Sequence, residues 1–172
     1  MNNKQQGFTL IELVVVIIIL GILAVIAVPK FINIQNDARI STLKGMKAAI
    51  QGANSLIYSK ASLQGEEELA TATVNLDGKS TPTKTVAVAY GYMQATEASL
   101  EAGVDVKFNI ATSATDNTVA TNNGGEWILF VSDGVATIWQ QDAPATCRFT
   151  YTQASSSGNS PTFSAMPTES SC

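Results

Sequence analysis

Gly7-Phe8-Thr9-Leu10-Ile11-Glu12 leads into Leu13–Val28, a stretch without a single charged residue. An ionised side chain within an apolar segment is expensive in lipid, about 2.5–3.5 kcal/mol on insertion scales. Glu12 therefore needs a partner. Cutting the chain after Gly7 would create one, because the new amine of Phe8 is a cation about one helical turn from the carboxylate. Phe8 to Val28 is 21 residues, about 30 Å as a helix, which is enough to cross a hydrocarbon core. Its Val and Ile are mediocre helix formers in water. In lipid every backbone group must bond internally, and helix wins.

An ordinary signal peptide or signal anchor is the alternative, with Val25-Ile26-Ala27 as a small-residue cleavage site. Three features oppose it. The polar leader, Met1 to Gly7, is only seven residues. An acid sits at the start of the apolar core. The apolar run also continues directly into a second helical pattern. That pattern extends from about Lys30 to Gln64, with apolar residues at Leu43, Met46, Ile50, Ala53, Ile57 and Ala61 at helical spacing. Phe31, Ile34 and Ala38 begin a similar stripe, while Lys44, Lys47, Gln51, Asn54 and Lys60 fall mainly off it. Gly65 is the expected C-cap. The stripe predicts packing against the chain's own globular part, so one long helix is expected, apolar in its first half and amphipathic in its second.

The rest of the composition narrows the function. The chain has 172 residues, a net charge of −4 and no histidine. The 144 residues after Val28 can bury a modest core. An acidic chain with no basic cluster argues against direct nucleic-acid binding. Without histidine the commonest general base and metal ligand are missing. No nucleophile motif is recognisable, so a membrane-anchored enzyme is disfavoured, and no cofactor or metal is expected. Cys147 and Cys172 are the only cysteines. Placed at the C-terminal end of an exported chain, they read as a disulfide rather than a redox pair, since they lack a Cys-x-x-Cys spacing.

From Glu66 onward Thr, Ser, Ala, Asn and Gly dominate. Glu66-Glu67-Glu68 reads as a solvated face or a helix start. Val86, Val88, Tyr90 and Tyr92 alternate as one strand would, and so do Val104, Val106 and Phe108. Thr96 to Glu101 is a candidate short helix, capped by Thr96 and ending before Gly103. Thr112 to Gly125 is expected to be a long polar loop. Trp127–Ser132 and Val135–Gln140 flank Asp133-Gly134, which predicts a two-residue type I′ hairpin. Arg148–Thr152 is a further strand and Thr162–Ala165 a candidate edge strand. The expected fold class is α+β, an antiparallel sheet burying its apolar face on the amphipathic half of the helix. Trp127 and Trp139 sit in strands and are expected in the core, so no lectin site is assigned to them.

Gly7-Phe8-Thr9-Leu10-Ile11-Glu12-Leu13, with Gly21 and Pro29 further along, resembles the processing site and helix of type IV pilins, with a short leader like that of the type IVa class. Val28-Pro29-Lys30-Phe31-Ile32-Asn33-Ile34-Gln35-Asn36-Asp37-Ala38-Arg39 resembles the mannose-sensitive haemagglutinin (MSHA) subgroup, and Tyr90-Gly91-Tyr92 and the terminal cysteine pair fit it. The resemblance covers roughly the first third of the chain. The leader departs from the pattern by carrying a single lysine, Lys4, which weakens the specification of its orientation.

The resemblance implies four parts: a leader, 1–7, removed by a prepilin peptidase; a transmembrane and filament-core helix, 8–29; an amphipathic helix, 30–65; and a β-rich headpiece, 66–172, with a C-terminal disulfide loop. It implies N-methylation of Phe8, assembly through Glu12 with a helix that loosens between Gly21 and Pro29, and a precursor spanning the inner membrane before it joins an extracellular pilus. The implied partners are further copies of the chain, the peptidase and assembly machinery, and a surface or host glycan in adhesion and biofilm formation. A pseudopilin of a type II secretion system is the first alternative, and a DNA-uptake pilin another.

Overall fold

The computed structural model describes residues 7–116, 119 and 124–172, with the side chains of residues 32 and 33 excepted. The expected leader, apart from Gly7, and part of the expected Thr112–Gly125 loop lie outside the described residues.

One helix organises the chain. Helix α1 spans Leu10–Gln64, 55 residues, and runs through Pro29 without interruption. Gly65 ends it in the left-handed conformation (φ 74°), where glycine meets no Cβ penalty. The headpiece grips only the C-terminal half. Ile40, Leu43, Met46, Ile50, Ile57 and Ala61 are buried, each three, four or seven residues after the last. Phe31, Ile34 and Ala38, the similar apolar stripe expected at the start of this pattern, are exposed. At about 100° per residue they lie roughly 100–180° around the helix from Leu43 and Ile50, so they form a second apolar face that the headpiece does not cover.

Two sheets cover the stripe. The first is a meander of β1 (Ala72–Asn75), β2 (Thr85–Ala89) and β3 (Tyr92–Met93). The alternation through Tyr92 is therefore two strands rather than one. Tyr90 and Gly91, with φ 52° and 81°, make a two-residue turn between the paired residues Ala89 and Tyr92. Helix α2 (Glu97–Val104) follows, capped by Thr96, whose hydroxyl accepts the Ser99 N–H. It runs past Gly103 and closes on Asp105, in the left-handed region at φ 54°. Val104 is thus helical, and the strand expected over Val104–Phe108 begins only at Phe108.

The second sheet has the order β4 (Phe108–Ile110), β5 (Trp127–Ser132), β6 (Val135–Gln140), β7 (Arg148–Thr152) and β8 (Thr162–Phe163). Its pairs are antiparallel except β4–β5, which is parallel. The β5–β6 hairpin turns at Asp133-Gly134, with φ 50° and 75°, the positive pair that a type I′ turn requires. Trp139 is buried and Trp127 half-buried. Glu66-Glu67-Glu68 forms neither a helix start nor a fully solvated face, since Glu66 and Glu67 are half-buried in the turn after Gly65.

Asn54, which the pattern placed off the stripe, is buried at the centre of the core. Its Oδ1 accepts the Met93 N–H at 2.9 Å, and its Nδ2 donates to the Tyr151 hydroxyl at 3.3 Å. That hydroxyl donates to the Met93 carbonyl at 2.6 Å. One amide therefore joins α1, β3 and β7, satisfying polar groups that would be costly if left unpaired in the core. Burial pushes the Tyr151 phenol up from 10.0 to about 12, against the opposing hydrogen bond from Asn54. The folded chain thus holds this proton more tightly than the unfolded chain does. The associated stability is complete below pH ~10 and is lost as the pH rises towards ~12. Urea unfolding of the full chain in detergent should show this loss, and Tyr151→Phe should flatten it. An identical slope in parent and variant would refute the assignment.

Candidate assembly surface

The N-terminus of α1 is built by its sequence. Thr9 is the N-cap, with extended backbone at φ −80° and ψ 150°. Its hydroxyl accepts the Glu12 N–H at 3.3 Å. The Glu12 carboxylate reaches back, its Oε2 accepting the Thr9 N–H at 2.9 Å and the Thr9 hydroxyl at 2.7 Å. This is a capping box, which satisfies two helical donors reciprocally. Thr9 is not among the expected site residues, although Thr-x-x-Glu before an apolar run is the signature of this cap. All the bonds go to Oε2. Among the described residues, Oε1 has no hydrogen bond. The cap therefore orients the carboxylate while leaving one oxygen for a cation, so capping and amine binding are compatible.

Beyond Glu12, the large apolar side chains from Leu13 to Val28 are exposed throughout. This is the one helix among the described residues long and apolar enough to cross a membrane, and none of its apolar window is buried within the chain. A surface this large and continuous is far beyond the apolar patches that soluble monomers leave in water. Gly21 and Pro29 lie within the continuous helix. A Cβ on Gly21 would meet nothing within 4 Å, so no close approach inside this chain calls for a glycine there. Pro29 contributes no N–H, which leaves one carbonyl a turn earlier without its helical donor.

At the other end of the chain, Cys147 and Cys172 form a disulfide with a Cα–Cα distance of 4.6 Å. The tail is also tied to α1. Asn36 Nδ2 donates to the Glu169 carbonyl at 3.1 Å, and Arg39 Nη1 donates to the Cys172 carbonyl oxygen at 3.0 Å. Arg39 Nη2 also donates to the Asp142 carbonyl at 3.3 Å. The lower edge of the headpiece is thus fixed to the helix near the point where the exposed apolar half begins. Among the described residues there is no group of three His, Cys, Asp or Glu side chains placed to hold a metal.

The comparisons with known proteins agree with this layout. Residues 2–28 match the family described as the prokaryotic N-terminal methylation motif. The type IV major fimbrial protein FimA of Dichelobacter nodosus is 32% identical over 123 residues, 70% of this chain and 73% of that one. The major component of the narrow type IV pilus of Thermus thermophilus is 40% identical over 63 residues, 37% of this chain and about half (51%) of that one. Core protein G of the Pseudomonas aeruginosa type II secretion system is 46% identical over 52 residues, 30% of this chain and 37% of that one. No solved structure matches the chain. The Dichelobacter relative aligns over most of both lengths, and the methylation motif coincides with the capped, exposed helix: the chain belongs to the type IV pilin family, a family of structural subunits rather than enzymes.

Proposed function

We propose that this chain is cut after Gly7, methylated on Phe8, held in the inner membrane by residues 8–29, and then polymerised through α1 into a surface filament. The observation that carries this reading is the uncovered apolar half of α1. Lipid satisfies that surface before assembly, and neighbouring helices satisfy it afterwards. The Phe8 amine keeps its positive charge on methylation and pairs with Glu12 of a neighbouring subunit, which sets the axial register. Pairing within one chain serves before assembly. Gly21 and Pro29 weaken the helix over Ile22–Val28, and loosening there would let the span adapt to the packing of a bundle.

Attachment to surfaces and biofilm formation are the proposed cellular use, with a surface or host glycan as the ligand class. The stretch Val28–Arg39 supports the MSHA subgroup within the family. Mass spectrometry of sheared surface filaments tests the processing reading. The expected product begins at methylated Phe8 and carries the Cys147–Cys172 bond. A product beginning at Val28, from a cut behind Ala27, would overturn the reading. The similarity to core protein G supports a second reading, a pseudopilin of a secretion system. Electron microscopy separates the two, since long surface filaments containing this chain exclude a short periplasmic one.

A further inference from the structure

Just below the headpiece, α1 carries an apolar knob. Phe31 and Ile34 are 72% and 62% exposed, and Lys30 beside them is also exposed. One to two turns higher, a groove of about 580 Å³ opens between α1 and the C-terminal tail. Ile40, Met166 and Pro167 supply its apolar lining, and Asp37, Lys44 and Glu169 its charges. The far wall is held in place by the Asn36–Glu169 and Arg39–Cys172 hydrogen bonds and by the disulfide. The groove is therefore formed before anything enters it.

We propose that this groove receives the Lys30–Phe31–Ile34 knob of a second copy of the chain. The inference rests on the reading that the chain polymerises, and it names a contact that holds the base of one headpiece to the next subunit. Two observations select the occupant. The first is complementarity. The groove has an apolar lining and carries two carboxylates against one ammonium, while the knob is apolar with one ammonium. Among the described residues, Lys30, Asp37 and Glu169 have no ion pair. Lys30 can therefore meet Asp37 or Glu169 while Phe31 and Ile34 cover Ile40, Met166 and Pro167. The second is geometry. Both features lie on the same continuous helix, so a chain cannot bring its own knob into its own groove. The offset from Lys30 to Asp37, or from Phe31 to Ile40, is about 10–14 Å along the helix. A second copy displaced axially by that amount brings knob and groove together. The surfaces are different, so the contact is heterologous and repeats without closing, as a filament requires.

The test uses full chains carrying Phe31→p-benzoylphenylalanine, co-expressed as a minority with the parent chain so that filaments form on the parent background. Irradiation of sheared filaments should give dimers cross-linked to Ile40–Lys44 or Met166–Ser170 of a second copy. Filaments whose cross-links fall elsewhere, or that give none, overturn the proposal. So does cross-linking confined to lipid in the membrane fraction. Charge exchange provides an independent readout. Lys30→Glu should lower filament yield severalfold, and combining it with Glu169→Lys should restore most of the loss. Failure of that pair, together with a failed Asp37→Lys pair, would also overturn the contact. If the parent chain enters no filament at all, polymerisation itself fails, an outcome distinct from filaments with the wrong cross-links.

Discussion

A Glu12→Val chain is expected to enter the membrane at least as well as the parent and to yield no filaments. Removing the carboxylate removes its insertion cost of about 2.5–3.5 kcal/mol, so anchoring does not suffer. Assembly suffers because each subunit then carries a Phe8 ammonium into an apolar bundle without its partner. Leaving one member of a buried ion pair unmatched costs about 3–5 kcal/mol, more than a hundredfold in an association constant, and the cost recurs at every subunit. The capping box refines the expectation. Glu12 Oε2 is engaged by Thr9 and Oε1 is not. Glu12→Gln keeps an acceptor but loses the charge, and should rank between parent and Val. Thr9→Ala leaves the carboxylate in place but frees it to rotate, and should reduce yield less than either. Membrane fractionation and the mass of sheared filament report the two steps separately. Normal yield from Glu12→Val would remove the amine–carboxylate pair from the account of register.

The features legible in the sequence were those in which one local pattern has one structural answer. An unbroken apolar run and a glycine stop place α1 to within two residues at either end, while the Thr9 cap that sets its first residue went unread. Asp-Gly between two β runs fixed the β5–β6 hairpin, because few other dipeptides take two positive φ values readily. Tyr90-Gly91 adopts the same positive pair, but a tyrosine in the left-handed region is rare, and the alternation on either side hid the turn. Val104 and Val106 misled in the other direction. Their spacing of two fits a strand, yet α2 claims the first and ends on Asp105.

The site residues divide along the same line. Gly7, Phe8, Glu12, Gly21 and Pro29 are expectations drawn from the acid in an apolar run and from the family resemblance, and what the fold adds is that Glu12 caps α1 while Gly21 and Pro29 lie within its continuous length. Asn54 was misplaced because a polar residue is ordinarily assigned to the wet face of a helix. Only the neighbouring strands reveal a backbone N–H and a phenol waiting for it. Phe31 and Ile34 share the apolar character of Leu43 but lie roughly 120–180° around the helix from it, and apolar type alone does not say which face the covering layer takes. Their exposure becomes visible only once the tail is seen to dock through Asn36 and Arg39 on a different side of the helix, and it is this exposed patch that faces a neighbouring subunit in the proposed contact.

Breaking the disulfide with paired Cys147→Ser and Cys172→Ser substitutions should lower the stability of the chain by roughly 3 kcal/mol. The residues are 25 apart, so the bond closes a long loop, and the cost of closing that loop falls on the unfolded chain when the bond is intact. For a domain of this size, thermal unfolding of the full chain in detergent should move down by about 6–12 °C. The loss should concentrate at the tail. Without the bond, residues 165–172 are held mainly by the Asn36, Arg39 and Thr146 hydrogen bonds to tail carbonyls and by partial burial of Met166. Backbone amides there should exchange far faster, while those of β5 and β6 should remain protected. Arg39→Ala removes one anchor and leaves the bond, and should cost no more than about 1–3 kcal/mol. The tail also forms one wall of the groove beside Ile40. The double serine variant should therefore lose filaments more severely than its thermal stability alone accounts for, at temperatures where its sheets remain folded. An unfolding midpoint within about 1 °C of the parent would show that the tail is held by its side-chain contacts, and that the bond plays no part in the fold.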